Sequence, residues 1–284
     1  MSLRIAVPNK GRLMEESISL LWCIGIKESG RKDNKLYFNV GGRYEVVSMR
    51  AQDIPVFVES GSVDVGITGL DLVHESMRDL EVLLDLNHGK CKLVFAVPED
   101  SDIRSVDDVT DGLKVATSHP NLAAKFFKGL GKDVTIVPLS GAVELAPHMK
   151  ISDAIVDLSE TGATLKSHNM AEIHTILESH AVMIGRRGAM GSLLISELVA
   201  AVRSIIDAMA KRYLMANVPE DKLNEVKVLM PGISAPTIIP LMDKKGLVAV
   251  HAVVNDDEVN GIITMLKKLG ATGILVVPIE RMVE

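Results

Sequence analysis

The most informative stretch of the chain reads Asp153-Ala-Ile-Val-Asp-Leu-Ser-Glu-Thr-Gly-Ala-Thr-Leu165. Its apolar residues predict a strand over 154–158, which places the carboxylate of Asp157 at the end of that strand. Small and hydroxylic residues follow, form a turn and open a helix. A strand that leads through a short turn into a helix is typical of α/β proteins with largely parallel sheets.

The turn of this stretch has the chemistry of an anion site. Backbone N–H groups at the start of a helix favour an anion by ~0.3–1 kcal/mol at exposed positions. Gly162 carries no side chain, so a ligand can approach the backbone closely. The residues predicted to surround the anion are Glu160, Thr161, Gly162, Ala163 and Thr164.

Asp157 indicates what is attached to the anion. A carboxylate repels a phosphate but accepts hydrogen bonds from hydroxyl groups. A phosphate beside a vicinal diol indicates ribose 5-phosphate. The simpler alternative is that Thr161 only caps a helix and that Asp157 is a solvated residue at a strand end.

The remainder of the chain predicts two α/β lobes with a ligand cleft between them. Its 284 residues suit two or three domains, and the alternation of strands and helices starts afresh at Lys92. The predicted lobes are residues 1–90 with 185–214 and residues 91–184, and the chain is expected to return to the first lobe through a long helix over about 190–215. The predicted strands are Leu3–Val7, Lys35–Val40, Tyr44–Met49, Val63–Gly69, Lys92–Val97, Lys114–Thr117, Val134–Pro138, Ala154–Leu158 and Thr175–Ile184.

Residues 215–284 predict a separate α+β domain of about seventy residues, a plausible size for a small domain. The expected order is strand, short helix, strand, helix and strand. The strands of this tail are predicted at Leu223–Met230, Leu247–Val254 and Gly273–Pro278, with the second helix at Asp256–Leu269.

The composition excludes several classes of protein. A net charge of -6 argues against a general nucleic-acid binder, because phosphate backbones select basic surfaces. Cys23 and Cys91, both in apolar stretches, predict two buried thiols rather than a disulfide framework or a zinc site. No uncharged apolar run approaches the roughly 18 residues of a membrane span, and the first residues lack the features of a signal peptide, so we expect a cytoplasmic protein.

The stretch 153–165 resembles the phosphoribosyl-pyrophosphate loop of phosphoribosyltransferases, and more closely that of ATP phosphoribosyltransferase, the first enzyme of histidine biosynthesis. The resemblance runs the whole length of the chain. In Val115-Ala-Thr-Ser-His-Pro-Asn121, His119 replaces the Tyr that is usual in the family. The other segments that carry the resemblance are Pro8-Asn-Lys-Gly-Arg-Leu13, Met49-Arg-Ala-Gln-Asp-Ile54, Ser60-Gly-Ser-Val-Asp-Val-Gly-Ile-Thr-Gly-Leu-Asp71, Met230-Pro-Gly-Ile-Ser-Ala-Pro-Thr237 and Gly270-Ala-Thr-Gly-Ile-Leu-Val276.

The resemblance implies a reaction, a fold and an assembly. Adenine N1 of ATP attacks C1 of phosphoribosyl pyrophosphate and displaces pyrophosphate, with Mg²⁺ held mainly by the diphosphate of the substrate. The implied fold has two lobes like a type II periplasmic binding protein. A C-terminal ferredoxin-like (ACT-like) domain would bind L-histidine as a feedback inhibitor. The implied assembly is a homo-oligomer, a hexamer that exchanges with dimers, with no nucleic acid and no membrane as partner.

The charge that develops during the reaction indicates where basic side chains are needed. Displacement at C1 leaves negative charge on pyrophosphate, which calls for basic side chains near it. Lys10 and Arg50 are therefore the predicted catalytic cations beside Asp157, and Arg12 is a predicted substrate ligand or else an exposed surface charge. Adenine N1 has a free lone pair, so no catalytic base is assigned.

Two further sets of residues are expected to contact ligands. Gly69 and Asp71 either lie against the nucleotide or pyrophosphate, or they only form a tight strand–helix connection with Asp71 as the helix cap. In the tail, Asn217, Thr237 and Gly273 are the predicted histidine ligands, with Asn217 standing where the family often has Asp. The alternative for the tail is a plain dimerisation module.

Two other functions compete with this interpretation. One is a non-catalytic cytoplasmic ligand-binding module that uses the same two-lobed fold. The other is a phosphoribosyltransferase with a different acceptor base. The loop at 153–165 favours the transferase class over the binding module.

Overall fold

The computed structural model describes residues 2–27, 37–242 and 244–283. The chain divides into two compact units, residues 1–199 and 200–284. Part of one predicted strand, at Lys35 and Leu36, lies outside the described residues. None of the helices in the described ranges combines the length and the apolar character that crossing a membrane requires.

Strands and helices alternate through the first unit. Its strands are β1 (Leu3–Pro8), β2 (Tyr37–Val40), β3 (Tyr44–Met49), β4 (Val65–Gly69), β5 (Leu80–Asp85), β6 (Cys91–Pro98), β7 (Lys114–Thr117), β8 (Thr135–Pro138), β9 (Ala154–Ser159), β10 (Met170–Ser179) and β11 (Ala181–Arg186). Its helices are α1 (Met14–Cys23), α2 (Ile54–Glu59), α3 (Leu70–Glu75), α4 (Pro120–Gly129) and α5 (Ala163–Ser167), after which α6 (Leu193–Met209) leads into the second unit.

These strands form two sheets with the same internal plan. The first sheet has the order β2-β3-β1-β4-β11-β5 and the second has the order β10-β6-β9-β7-β8. Strand β1 pairs in parallel with β3 and β4, just as β7 pairs in parallel with β8 and β9. The next strand in each sheet runs antiparallel, namely β11 beside β4 and β6 beside β9. Each sheet is the centre of one lobe.

The chain crosses between the lobes twice. It leaves the first sheet after Asp85 and enters the second as β6, and it returns after Ser179 as β11. The two crossings are adjacent, because Ala181 N–H donates to the His88 carbonyl at 2.9 Å and Leu86 N–H donates to the Ala181 carbonyl at 3.0 Å. Two such lobes joined by two crossings confirm the predicted type II periplasmic-binding-protein plan.

The lobe cores are built largely from aliphatic side chains, as the composition predicts. Both faces of the second sheet are buried, since Leu93, Phe95 and Val97 point into one cluster and Val94 and Ala96 into the other. Such continuous apolar strands are typical of sheets covered on both faces.

One close helix–strand contact fixes a glycine in the first lobe. A Cβ atom on Gly66 in β4 would lie 2.3 Å from Cγ2 of Ile54 in α2. Helix α2 therefore packs directly on the backbone of β4. We expect any side chain at residue 66 to overpack this core at a cost of about 1–3 kcal/mol.

The second unit has a ferredoxin-like arrangement. Its elements are β12 (Lys211–Pro219), α7 (Leu223–Leu229), β13 (Thr237–Pro240), β14 (Leu247–Asn255), α8 (Val259–Lys268) and β15 (Thr272–Pro278). The sheet order is β13-β14-β12-β15, and all neighbours are antiparallel. This βαββαβ chain order confirms the predicted fold of the tail.

Several of the predicted elements are wrong. The single strand over 175–184 is two strands, because β10 belongs to the second sheet and β11 to the first. The long helix ends at Met209 instead of continuing to residue 215, because Leu214, Ala216 and Val218 alternate into the tail core as residues of β12. The strand predicted at 223–230 is helix α7, since Leu223, Val226 and Met230 meet the core at helical spacing.

The observed elements also differ from the predicted ones near the limits of the predicted domains. The short helix expected between Met230 and Leu247 is replaced by strand β13. The boundary expected at residue 184 falls inside β11, a strand of the first sheet, and the boundary expected at residue 215 falls inside β12.

Candidate active site

Loops of both lobes meet at the carboxyl ends of the parallel strands. In the first lobe these loops follow β1, β3 and β4, and in the second lobe they follow β7 and β9. In open α/β sheets the crevice outside these strand ends is where ligands bind. Most of the predicted site residues fall in these loops, at the strand ends where a ligand is expected.

The loop after β9 has the geometry of an anion cradle. Gly162 adopts a left-handed conformation with φ of 77° and directly precedes helix α5. The Gly162 N–H donates to Ser159 Oγ at 3.1 Å, and Thr161 Oγ1 accepts a bond of 3.4 Å from Ala163 N–H. The first N–H groups of any helix have no partner within it. Glu160, Thr161, Ala163 and Thr164 are solvent-exposed, so a ligand has access to this turn.

Asp157 lies two residues before the loop, inside β9. Its carboxylate accepts a hydrogen bond of 2.8 Å from Leu158 N–H and is half-buried. Burial raises the pKa of Asp157 above its ordinary value, against the opposing effect of the Leu158 N–H. The negative charge of Glu144 adds to the increase in this pKa, whereas His119 and Ser118 reduce it.

Asp71 is a fully buried acidic residue at the junction of the lobes. Its side chain is 1% exposed, and its carboxylate contacts Arg12 at 3.3 Å and His119 Nε2 at 3.1 Å. The Ser179 hydroxyl donates to the same carboxylate and accepts from Asp71 N–H at 3.0 Å. Burial opposes ionisation, but the hydrogen bonds from His119 and Ser179 and the charge of Arg12 outweigh it and hold the pKa of Asp71 below its usual value. Asp71 is therefore a buried carboxylate saturated by protein partners.

This cluster connects both lobes. Asp71 belongs to α3 of the first lobe, whereas His119 precedes α4 and Ser179 ends β10, both in the second. A second contact lies at the end of α3, where the Glu75 carboxylate accepts from Asn121 N–H and Leu122 N–H, each at 2.9 Å. The start of α4 is thus held by two acidic side chains of the first lobe.

The strand–helix turn at residue 69 departs from the predicted cap. Gly69 itself occupies the N-cap position of α3, and Asp71 makes no side-chain capping bond. The structural alternative that made Asp71 the helix cap is therefore wrong. The Asp71 carboxylate folds back over the glycine instead, which explains why residue 69 lacks a side chain.

Arg12 is held by two groups rather than extended into solvent. Its guanidinium donates to the carbonyl of Gly89 as well as to Asp71, and the side chain is 22% exposed. Gly89, in the first crossing segment, has a left-handed φ of 62°, and a Cβ there would lie 2.4 Å from Cδ2 of Leu13. The alternative that Arg12 is an ordinary surface charge does not fit these contacts.

Lys10 and Arg50 lie at the same strand ends with exposed side chains. Lys10 follows β1 and Arg50 follows β3, two strands that pair side by side. Between these strands, Asn9 N–H donates to the Met49 carbonyl at 2.8 Å. The side-chain oxygen of Asn9 is buried and has no hydrogen-bond partner. The neighbouring ends of β1 and β3 thus carry two cations, Lys10 and Arg50, and one side-chain acceptor without a partner, Asn9 Oδ1.

A cavity of about 300 Å³ opens beside the anion cradle. Burial raises the pKa of the Cys91 thiol in its wall to about 11. Cys23, in contrast, is exposed, so the prediction of two buried thiols is wrong for that residue. The lining residues of the cavity are Lys90, Cys91, Lys92, Glu160, Glu178, Ser179 and His180.

The three predicted tail residues share one face of the tail sheet. Asn217 alternates with Ala216 and Val218, whose side chains are buried, and Thr237 alternates with the half-buried Ile238. A Cβ on Gly273 would lie 3.0 Å from Nδ2 of Asn217, so these two residues are in contact. Thr237 is on edge strand β13, two strands away from β12. The structure brings Asn217 and Gly273 together but leaves Thr237 apart.

Comparison with known proteins identifies the family. The family model for ATP phosphoribosyltransferase matches residues 50–208, and the model for the HisG C-terminal domain matches residues 208–281. The chain belongs to the ATP phosphoribosyltransferase family. The match to both models identifies the long form of that family, as the resemblance implied.

Full-length relatives agree with this assignment. ATP phosphoribosyltransferase of Gemmatimonas aurantiaca is 44% identical over 99% of this chain and 99% of the relative. ATP phosphoribosyltransferase of Methanococcoides burtonii is 44% identical over 99% of each chain. Among solved structures, the ATP phosphoribosyl transferase (HisG:HisZ) complex from Thermotoga maritima matches with a TM-score of 0.64 and 25% identity, over 72% of this chain and 98% of that chain. These matches confirm the predicted pentosyltransferase of histidine biosynthesis and do not favour the non-catalytic binding module.

Proposed function

We propose that this ATP phosphoribosyltransferase uses the cleft between its lobes to join adenine N1 of ATP to C1 of 5-phosphoribosyl 1-pyrophosphate. The N1 lone pair forms the new bond, the bond from C1 to the pyrophosphate oxygen breaks, and pyrophosphate leaves with the bonding electrons. The observation that carries the proposal is the position of Asp157 in β9, two residues before an exposed loop that leads through the left-handed Gly162 into helix α5.

The loop and Asp157 divide the sugar phosphate between them. The N–H groups of residues 160–164 that do not donate within the turn, together with the Thr161 and Thr164 hydroxyls, hold the 5-phosphate, because the start of a helix favours an anion. The Asp157 carboxylate accepts hydrogen bonds from the two ribose hydroxyls. With both the 5-phosphate and the ribose hydroxyls bound, C1 of the sugar is held in one position. A displacement reaction requires such positioning of the reacting atom.

Cations of the first lobe receive the leaving group. Lys10 and Arg50 are exposed at the neighbouring ends of β1 and β3, where they can approach pyrophosphate. We assign Arg12 and Asp71 a supporting part, because Asp71 is buried and Arg12 is held between Asp71 and Gly89. Gly69 lies beside this pair, and its lack of a side chain leaves room for the Asp71 carboxylate.

The proposed metal is Mg²⁺ that arrives with the diphosphate. The described residues contain no group of three or more His, Cys, Asp or Glu side chains placed to hold a metal ion. Mg²⁺ commonly keeps several waters and takes other ligands from the phosphate oxygens of a substrate. When bound, the ion neutralises charge on the leaving pyrophosphate.

The tail is proposed to sense L-histidine and to mediate self-association in the cytoplasm. Asn217 and Gly273 are in contact on the face of the sheet that α7 and α8 leave uncovered. The same face carries apolar side chains that are 45% exposed at Ile239 and 57% exposed at Leu275. Apolar faces of this kind mark association surfaces, which supports a homo-oligomer such as a dimer or hexamer.

A direct assay tests the proposed reaction. The protein is mixed with Mg²⁺, ATP and phosphoribosyl pyrophosphate, and both pyrophosphate release and a new adenine absorbance are followed. We expect both signals only when all three components are present. Turnover with a different base, and none with ATP, would show that this base and not ATP is the acceptor.

A further inference from the structure

The tail contains a cavity of about 270 Å³ that the proposed histidine contact does not use. It is lined by the end of α7 and the loop after it, by the last residues of β14 and by the start of α8. Small-molecule sites commonly enclose about 300–1,000 Å³. A cavity just below this range suits a ligand about as large as one amino acid.

Three polar side chains form a row along one wall of this cavity. Lys211 and Asn255 lie opposite each other on β12 and β14, and the Lys211 ammonium donates to Asn255 Oδ1 at 2.7 Å. On its other side, Asn255 Nδ2 donates to Glu258 Oε2 at 2.9 Å. A neutral amide therefore stands between a cation and an anion.

Both charges of this row keep capacity for a ligand. Among the described residues, neither Lys211 nor Glu258 forms an ion pair, whereas the neighbouring Asp256 is paired with Arg212 at 3.0 Å. An ammonium has three N–H donors, and Asn255 uses one of those on Lys211. A carboxylate can accept several hydrogen bonds, and Asn255 supplies one to Glu258.

The remaining wall of the cavity is largely aliphatic. It is formed mainly by Leu229, Val253, Ile262 and Ile233, of which Ile233 is 52% exposed and gains burial when a ligand covers it. The residues that line the cavity in the described part of the chain include no hydroxyl group and no aromatic ring. An aliphatic ligand group fits this wall, whereas a polar ring such as imidazole would lose its hydrogen bonds to water there.

We propose that this cavity binds a free aliphatic α-amino acid, whose carboxylate pairs with Lys211, whose ammonium pairs with Glu258 and whose side chain packs on the aliphatic wall. Both charged groups of an α-amino acid are attached to one carbon atom, so they can meet two charges that a single amide separates. The site is distinct from the proposed histidine contact, because Lys211 and Asn217 are six residues apart on β12, or about 20 Å at a rise of about 3.3 Å per residue.

Isothermal titration of the full chain with L-leucine tests the proposal. Two further probes each lack one charge, since 4-methylpentanoate has no ammonium and 3-methylbutylamine has no carboxylate. We expect L-leucine to bind and each of these probes to bind at least about tenfold more weakly, because a hydrogen bond to a charged group contributes about 1.5–3 kcal/mol. No binding of L-leucine, L-isoleucine or L-valine, or an equal affinity for either one-charge probe, would overturn the inference.

Substitutions locate the bound amino acid. Lys211→Met and Glu258→Gln each remove one charge of the row at nearly constant side-chain length, and the glutamine keeps an acceptor for the Asn255 amide. We expect each variant to bind L-leucine at least about tenfold more weakly than wild type. The matched controls are Lys222→Met and Glu225→Gln, which break an exposed pair of 3.0 Å in the same domain and should bind within twofold of wild type.

A thermal-shift measurement on the same proteins shows that each variant is folded. L-leucine should raise the thermal midpoint of wild type and of both controls, but not that of Lys211→Met or Glu258→Gln. An L-leucine affinity that is the same in all five proteins would overturn the inference. So would an affinity that is lost in Gly273→Ala and kept in Lys211→Met, because the amino acid would then lie at the proposed histidine contact. None of these measurements requires turnover, so the proposed reaction is tested separately.

Discussion

The carboxylate of Asp71 fills the space that a side chain on Gly69 would need: a Cβ there would lie 2.4 Å from Asp71 Oδ1. The backbone of Gly69 has φ of -80° and ψ of 142°, which any residue adopts. Glycine is therefore needed here because a side chain would clash with Asp71, and not because of the backbone conformation. Its absence of a side chain lets Asp71 keep its contacts with Arg12 and His119.

The first prediction concerns that contact. Gly69→Ala pushes Asp71 away from its partners, and we expect a loss of about 1–3 kcal/mol in the free energy of unfolding, as for other overpacked sites. Urea unfolding measures the change. Gly129→Ala is the matched control, because its Cβ would meet nothing within 4 Å. Equal stability of the two variants would show that Asp71 moves without cost.

A second prediction tests the diol ligand. Asp157→Ala leaves the ribose hydroxyls without their charged acceptor, and hydrogen bonds to charged groups contribute about 1.5–3 kcal/mol. Steady-state kinetics should show a KM for phosphoribosyl pyrophosphate raised by about ten- to a hundredfold, with the KM for ATP little changed. Asp153→Ala, at an exposed carboxylate that precedes the same strand, is the control. Unchanged kinetics in Asp157→Ala would remove the diol-binding role.

The third prediction is a pH dependence. The pKa of Asp157 is raised mainly by burial, and only the ionised carboxylate accepts from both hydroxyls. As the pH falls through the raised pKa, phosphoribosyl-pyrophosphate binding is lost, and this loss begins at a higher pH than for an ordinary aspartate. Isothermal titration between neutral and mildly acidic pH measures it, and Asp157→Asn should bind weakly at every pH. A wild-type affinity that stays constant over this range contradicts the assignment.

The fourth prediction concerns the Arg12–Asp71 ion pair. Arg12→Leu leaves a buried carboxylate without its cation, and breaking a buried pair costs about 3–5 kcal/mol. Since Arg12 is 22% exposed, we expect the lower end of that range. Asp71 also makes stability depend on pH. The hydrogen bonds from His119 and Ser179, more than the charge of Arg12, outweigh burial and lower the pKa of Asp71 in the folded state, so its contribution is complete above the unfolded pKa and is lost as the pH falls through the folded value.

Adding Asp71→Asn to Arg12→Leu should recover much of the lost stability, because the buried charge is then gone. Arg4→Leu is the control, because Arg4 pairs with Glu45 at the surface and such pairs contribute about 0–1 kcal/mol. Chemical denaturation of the four proteins gives the comparison. If the double variant were no more stable than Arg12→Leu, the unpaired charge of Asp71 would not be the cause of the lost stability.

The fifth prediction concerns the tail. Gly273 has φ of 58° and lies against Asn217, so Gly273→Ala disturbs the proposed histidine contact. We expect weaker inhibition by L-histidine with unchanged activity in its absence. Gly246→Ala shares the backbone strain, with φ of 81°, but its Cβ would meet nothing within 4 Å. Equal inhibition of the two variants would locate the histidine site away from Asn217.

Local patterns in the sequence predict much of this fold. The strand that carries Asp157 and the loop after it follow from short-range periodicity and from the glycine at residue 162. The tail was harder, because Leu, Met and Ala in 211–219 are good helix formers, and pairing with β14 and β15 determines their strand conformation. In that segment, pairing between strands outweighs the helix propensity of the individual residues.

The contacts of the site were less accessible to sequence reasoning. The pairing of Asp71 with His119 joins residues that are 48 positions apart, and that with Ser179 joins residues 108 positions apart. No local pattern carries such a contact. The replacement of the usual Tyr by His119 was the available signal in the sequence, since a change at a buried polar position requires a partner for the new group.

The exchange of strands between the lobes has a consequence for biosynthesis. The first sheet needs β11 between β4 and β5, so no ribosome-bound fragment that stops short of residue 186 can complete it. The second sheet is closed by β10, whose last residue, Ser179, comes only seven positions earlier. Both lobes therefore finish at nearly the same moment of synthesis, and until then the unpaired edges of their strands are open to pairing with other chains.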